Sequence, residues 1–168
     1  MKKPPQRPDL PRRRSNNDKR RLLPTPAPEL IAQLLATATY QGSPKHKINP
    51  HIFNLPPYNG QRGDETLCDA HAGFTPAHMA TLPALLERGI EAGLIGASDV
   101  LWTVADSGWI FEARLTNVDQ AEYHGYPVRR SEPIGESVYL RFAAWAEENG
   151  TAADKLAATN CKALYGFK

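Results

Sequence analysis

The sequence contains few cysteines and no long apolar run. Only Cys68 and Cys161 occur among its 168 residues, which excludes a scaffold held together by several disulfide bonds. No stretch approaches the about 18 consecutive apolar residues that a membrane-spanning helix needs. Lys2 and Lys3 have no apolar segment behind them, so we expect no secretory signal. We therefore predict a soluble, cytoplasmic protein with no membrane partner.

The signatures of several large enzyme classes are also missing. The sequence has no internal repeat, Walker loop, dinucleotide-binding fingerprint or Gly-x-Ser-x-Gly elbow. Cys68 and His71 have the spacing of two zinc ligands, and His78 or His46 would have to complete the set. No second closely spaced pair follows, so a buried, inert Cys68 is the preferred interpretation. We predict neither a metal nor a cofactor, and a small zinc domain remains an alternative.

Positive charge is concentrated in the first 28 residues. This segment holds nine Lys and Arg residues against two Asp residues, a net charge of +7, so the other 140 residues carry −5 of the total +2. It also has seven prolines and few apolar residues, a composition that cannot bury enough surface to fold alone. We predict a flexible basic arm over residues 1–28 and one compact domain over residues 29–168.

The basic clusters predict contact with the phosphates of nucleic acid, and RNA rather than DNA is the expected partner. The residues assigned to this contact are Arg12, Arg13, Arg14, Lys19, Arg20 and Arg21, together with Lys45 in the domain. A tail that only keeps the protein in solution is the alternative interpretation of the arm.

The predicted domain is organised around a β-hairpin. Residues 100–105 and 109–115 are rich in strand-forming side chains, and Asp106, Ser107 and Gly108 between them are typical of a short turn. Helical spacing of apolar residues predicts helices over residues 28–38, 81–93, 132–150 and 151–164. The predicted fold class is therefore α+β, with a small antiparallel sheet centred on the hairpin and packed by two or three helices.

Two charged residues, Glu112 and Arg114, share one face of the second predicted strand. One interpretation is a solvated face whose charges keep a sheet edge from aggregating. The other is a site shared with Tyr123 and His124. An imidazole exchanges protons near neutral pH, and a guanidinium holds phosphate through two N–H groups. The sequence leaves both interpretations open.

A second group of polar residues lies in the irregular segment between residues 40 and 67. An irregular segment of this length inside a compact domain is usually functional or disordered. Lys45, His46 and Lys47 follow a turn in this segment. They can bind and polarise a phosphate, or they can form an exposed basic turn without a function.

Four short patterns are spread over residues 40–130. They are Tyr40-x-Gly42-Ser43-x-x-His46-Lys47, Leu67-Cys68-Asp69, Phe111-Glu112-Ala113-Arg114-Leu115-Thr116-Asn117 and Tyr123-x-Gly125-Tyr126-Pro127. In this order they resemble a group of small, uncharacterised bacterial proteins. The resemblance implies no activity. It implies a compact bacterial domain in which these positions lie near one another.

The leading functional hypothesis is a protein that acts on nucleic acid, as a metal-independent ribonuclease of bacterial toxin or defence type. Such cleavage needs a base, an acid and a cation for the developing charge. The residues predicted to supply them are His46, Lys47, Glu112, Arg114, Tyr123 and His124. The hypothesis requires His46 and His124 to face one cleft. The alternative is a non-catalytic module that binds nucleic acid or a protein through the arm and the Ala-rich last helix.

Overall fold

The structure, a computed structural model, describes residues 20–63 and 65–168. Four predicted phosphate contacts, Arg12, Arg13, Arg14 and Lys19, lie outside these residues. The described chain forms one four-stranded sheet and five α-helices, so the α+β fold class is confirmed. The strands are β1 (Thr39–Tyr40), β2 (Val100–Val104), β3 (Ile110–Asn117) and β4 (Glu122–Pro127). The helices are α1 (Pro28–Thr37), α2 (Cys68–Ala72), α3 (Leu82–Glu91), α4 (Ile134–Glu148) and α5 (Ala152–Tyr165).

The predicted hairpin is formed by β2 and β3, which pair antiparallel from Val100 opposite Arg114 to Val104 opposite Ile110. Its turn depends on Gly108, which has a φ of +91°. A Cβ at this position would also lie 2.5 Å from the backbone of Asn160. Glycine is therefore required both for the turn conformation and for the close approach of α5.

The sheet differs from the antiparallel prediction at one edge. β4 pairs antiparallel with β3, whereas β1 pairs parallel with β4 and places Tyr40 beside Tyr123. The strand order is β1-β4-β3-β2, and the sheet is mixed. A strand of two residues is too short to show any periodicity, so β1 could not be predicted from its residues alone.

Helices cover both faces of this sheet. On one face Leu101, Ala113 and Tyr123 pack with apolar residues of α1 and α3. On the other face Trp102 and Ile110 pack with apolar residues of α4 and α5. Because neither face is open to water along its whole length, the predicted solvated strand face is wrong for Glu112, whose exposure is 0%.

The four predicted helices are present within a few residues of their expected limits. The last one, α5, begins with the expected capping box: Thr151 Oγ1 accepts a hydrogen bond from Asp154 N, and the Asp154 carboxylate accepts one from Thr151 N at 2.7 Å. None of the helices in the described ranges is long and apolar enough to cross a membrane.

Residues 20–28, which the composition assigns to the flexible arm, are packed against the domain. Leu23 N donates to Ile95 O at 2.8 Å, and Leu22 forms a β-bridge with Gly96. Arg141 Nη1 then donates to Leu23 O at 2.7 Å. These hydrogen bonds join the segment to distant parts of the chain, so the local composition did not reveal them. The folded part of the chain therefore begins before residue 29.

Candidate functional site

The loop that carries His46 is held from one side by the guanidinium of Arg62. Arg62 donates to the carbonyl oxygens of Pro44, Lys45 and Lys47 at 3.2, 3.1 and 2.5 Å. The guanidinium also lies 5.0 Å from the ring centroid of Tyr58. The Arg62 guanidinium thus donates to three backbone carbonyl oxygens of one turn. These charge-assisted hydrogen bonds hold the turn in its conformation.

The carboxylate of Asp69 holds the other end of the same loop. It accepts hydrogen bonds from Ile48 N and Asn49 N, each at 3.0 Å, and so binds two successive backbone amides. Asp69 is in the first turn of α2. The conformation of residues 44–49 is therefore set by two charged side chains from the segment that follows it.

This loop places the ring of His46 beside β4. The His46 and His124 ring centroids are 5.5 Å apart and the two planes differ by only 10°. The ring of Tyr126 lies 4.9 Å from that of His46. The structure thus brings together the two imidazoles that the leading hypothesis needs in one cleft.

His124 is the more accessible imidazole of the pair. Its Nδ1 is 2.6 Å from Thr116 Oγ1, and its Nε2 has no hydrogen-bond partner within residues 20–63 and 65–168. Burial lowers the pKa of His124, and the positive charges of Lys45, Arg114 and Lys47 lower it further. The ring is therefore neutral at neutral pH, with one nitrogen oriented by a hydroxyl and the other available.

His46 is more deeply buried, with only 5% of its surface exposed. Its Nδ1 is buried without a hydrogen-bond partner in the described part of the chain. Burial is the main cause that lowers the pKa of His46 to about 4, and proximity to His124 adds to it. His46 is consequently neutral at neutral pH and a poor proton donor.

Glu112 is a buried carboxylate on the same face of the sheet as His124, and both of its oxygens accept hydrogen bonds. Its Oε1 accepts from Arg114 Nε at 2.8 Å and from the Tyr126 hydroxyl at 2.5 Å. Its Oε2 accepts from Arg20 Nε at 2.9 Å and from Trp102 Nε1 at 3.1 Å. Burial alone would raise the pKa of Glu112, but Tyr126 and the two guanidiniums outweigh it and hold the pKa below its usual value. A carboxylate bound in this way cannot act as a general base.

Arg114 connects the buried network to the surface. Its Nε and Nη2 bind Glu112, while its Nη1 has no partner among the described residues and its side chain is 35% exposed. Arg114 is paired with His124 across β3 and β4. A guanidinium edge and a neutral imidazole therefore lie next to each other on the same face of the sheet, and this face can hold an anion.

Two residues of the predicted catalytic set lie elsewhere. Tyr123 is 1% exposed and packs in the core on the other face of the sheet, because successive side chains of a strand point in opposite directions. Lys47 has an exposure of 0%, and its Nζ lies 5.2 Å from the ring centroid of Phe53 and 5.9 Å from that of Phe74. Neither side chain joins the imidazole pair.

The predicted phosphate contacts that the structure describes are divided between the interior and the surface. Arg20 is turned inward, where it binds Glu112 and its Nη1 lies 2.5 Å from the Glu132 carboxylate. Arg21 is exposed. Lys45 is partly exposed near the imidazole pair, with its Nζ 2.9 Å from Glu65.

A zinc site needs several ligands close together. Among the described residues, no group of three or more His, Cys, Asp or Glu side chains could hold a metal ion. His71 Nδ1 accepts a hydrogen bond from Leu67 N at 2.8 Å, and His78 Nδ1 accepts one from Thr75 N at 2.9 Å. Both imidazoles thus stabilise the beginning of a helical turn. Cys68 is buried, and burial raises the pKa of its thiol to about 11.

Tyr126, Thr116 and Arg62 belong to the site but were not assigned to it from the sequence. Tyr126 was detectable, because it lies two residues from His124 and strand alternation puts the two on one face. Thr116 is two residues from Arg114 and follows from the same rule. Arg62 gave no signal, since its role depends on a contact with a loop 15 or more residues away.

Comparison with known proteins gives no relative for this arrangement. No family model, no curated protein and no solved structure matches the chain. The resemblance to small bacterial proteins therefore stays a prediction, and the function has to be argued from the site itself.

Proposed function

We propose that the protein acts on nucleic acid as a metal-independent ribonuclease, with His124 as the general base. The observation that carries the proposal is the parallel pair of His46 and His124 next to the free guanidinium edge of Arg114. RNA supplies its own nucleophile, the ribose 2′-hydroxyl, so cleavage needs a base and a cation but no metal-bound water.

In this proposal His124 accepts the proton of the 2′-hydroxyl through Nε2, while Thr116 orients its Nδ1. Arg114 stabilises the charge that develops on the phosphate oxygens, since one of its terminal nitrogens is free. His46 is a positioning residue that packs its ring against His124, because its burial keeps it from the substrate and its lowered pKa makes it unsuitable as an acid. The leaving oxygen takes its proton from water at the exposed side of the site.

Glu112 and Tyr126 have a supporting role. Together they fix the Nε side of Arg114, so that the remaining N–H groups point towards solvent. This arrangement is preorganised, which is the condition under which a cation stabilises a transition state without reorganising first. The proposal therefore reassigns Glu112 from proton transfer to the positioning of Arg114.

The test is cleavage of a labelled single-stranded RNA by the full chain in the presence of a chelator. The same sequence in DNA is the substrate control, because DNA lacks the 2′-hydroxyl. We expect cleavage of RNA alone, with 2′,3′-cyclic phosphate ends. His124→Gln should lower the rate by about 100-fold or more, the usual contribution of a general base. Because burial and nearby cations lower the pKa of His124, the rate should fall at a pH below the ordinary imidazole pKa of about 6.5, where the base becomes protonated.

The matched control is His51→Gln, because His51 is exposed and no interaction joins it to the imidazole pair. This variant should cleave RNA at the wild-type rate. Arg114→Lys should retain binding but lose rate, since an ammonium cannot replace the forked contact. If wild-type protein leaves RNA intact, or if His124→Gln cleaves it as fast, the proposal is wrong.

A second candidate is a module that binds an RNA phosphate without cleaving it. The observation in its favour is the saturation of Glu112, which leaves the site without a carboxylate for proton transfer. It predicts RNA binding that weakens steeply with salt and depends on Arg114 but not on the neutral His124. Fluorescence anisotropy with the same variants separates it from the enzyme, because only the enzyme changes the length of the RNA.

A further inference from the structure

A cavity lies on the opposite face of the sheet from the imidazole pair. Its volume is about 210 Å³, and it is enclosed by α1, by the turn before β2 and by β4. Most of its wall is aliphatic, and the side chains that matter here are Leu30, Leu34, Ile95, Leu101, Asp99 and Tyr123. The residues proposed for RNA cleavage do not line it.

Tyr123 supplies the cavity with a hydroxyl group. The residue is 1% exposed and lines the cavity. Burial raises the pKa of Tyr123 to about 12, and the negative charge of Asp99 contributes to the increase. A hydroxyl both donates and accepts hydrogen bonds, so it gives the cavity wall a polar point that a bound molecule can reach.

Asp99 gives the cavity its charge. It is the single charged residue in the described lining, and it is exposed at the mouth, near enough to Tyr123 to act on its ionisation. The cavity therefore has an aliphatic body, a hydroxyl and a carboxylate at one end. A molecule that fits these three features has an apolar part and a positively charged head that donates hydrogen bonds.

We propose that this cavity binds a small organic cation, an amine with a single ring or a branched aliphatic body. The size agrees, because an apolar cavity of about 150 Å³ accepts benzene and the larger volume here leaves room for a head group. The ammonium lies between the Asp99 carboxylate and the Tyr123 hydroxyl, and the ring lies against Leu30, Leu34 and Ile95. The proposal does not depend on ribonuclease activity.

The experiment compares three probes of equal shape, benzylamine, benzyl alcohol and benzoate, by saturation-transfer and shift-perturbation NMR with the full chain. Benzylamine should bind with a dissociation constant of about 1 mM, a normal value for so small a ligand. Benzyl alcohol should bind about fivefold more weakly and benzoate should not bind, because its charge repels Asp99. Asp99→Asn should remove the preference for the amine, and Asp119→Asn in the exposed β3–β4 turn is the matched control.

Two further variants test the location. Tyr123→Phe keeps the packing but removes the hydroxyl. It should weaken the binding of benzylamine and of benzyl alcohol about fivefold, because each loses a hydrogen bond to that hydroxyl. Leu34→Trp should fill the cavity and abolish the binding of both benzylamine and benzyl alcohol. If Leu34→Trp fails to fold, the comparison of Asp99→Asn with Asp119→Asn still decides. No binding of benzylamine to the wild type, or a preference for it that survives Asp99→Asn, overturns the proposal.

Discussion

Six donor groups surround the buried carboxylate of Glu112: two N–H groups each from Arg20 and Arg114, the Tyr126 hydroxyl and the Trp102 indole. A carboxylate without such partners would lose several kcal/mol when moved out of water. With them, the charge stays on Glu112 and orients Arg114 towards the surface. The hydrogen bonds of Glu112 therefore both stabilise the fold and position Arg114 in the site.

The contribution of this network to the free energy of unfolding can be measured by comparing two neighbouring arginines, the buried Arg20 and the exposed Arg21. Arg20→Ala leaves Oε2 of the buried Glu112 carboxylate with the Trp102 indole as its remaining donor and should lower the free energy of unfolding by about 3 kcal/mol. Arg21→Ala removes an exposed side chain and should change it by less than about 0.5 kcal/mol. Urea unfolding of the two variants is the measurement. Equal effects of the two substitutions would show that the Arg20 contacts contribute no net stability.

Among the elements, the loop over residues 44–49 is the one that the site depends on most. It contains one 3-10 turn, Pro44–His46, and a second one, Pro50–Phe53, follows it directly. Short turns of this kind have few hydrogen bonds of their own. The loop is ordered instead by Arg62 on its carbonyls and Asp69 on its amides, so the position of His46 is determined by side chains remote from it.

Asp69→Ala tests this dependence without any assumption about activity. The variant frees the amides of Ile48 and Asn49, and the loop should then open and expose the imidazole of His46. Because burial is the main cause of the lowered pKa of His46, that pKa should rise from about 4 towards its usual value. An NMR titration of the histidine signals measures the change. Asp119→Ala should leave the pKa unaltered, and an unaltered value in Asp69→Ala would mean that Arg62 alone holds the loop.

The sequence revealed those elements whose cause is local. The four longer helices follow from apolar spacing, and the β2–β3 turn follows from Gly108. It did not reveal that residues 122–127 form a strand, because Gly125 and Pro127 are typical of a turn. Without that strand, Tyr123 and His124 looked like one cluster, although a strand sends neighbours to opposite faces. Contacts over long separations, such as Arg20 with Glu112, leave no local pattern at all.

For the molecule as a whole, the two buried ionisable groups of the site respond to acid in the same direction. His46 must gain a proton against burial, and Glu112 must lose the charge that its partners hold. In both cases the unfolded chain binds protons more readily than the folded one. The stability of the fold therefore increases with pH wherever either group titrates. As the pH falls, stability is lost first through His46 and then, at lower pH, through Glu112.

The contribution of His46 is isolated by substitution and not by the pH range alone, because the pKa of His124 is lowered from the same ordinary value. Its pKa is about 4 in the folded protein and about 6.5 when unfolded, so its stabilising effect is complete above 6.5 and is lost as the pH falls from 6.5 to 4. The loss amounts to about 3 kcal/mol, since each pKa unit corresponds to about 1.4 kcal/mol. His46→Gln does not titrate and should reduce the pH dependence of unfolding in this range, whatever its stability at pH 7. His51→Gln should keep the wild-type slope, because His51 is exposed in the folded chain. A slope that His46→Gln leaves unchanged would show that another group, and not the buried imidazole, makes the fold sensitive to acid.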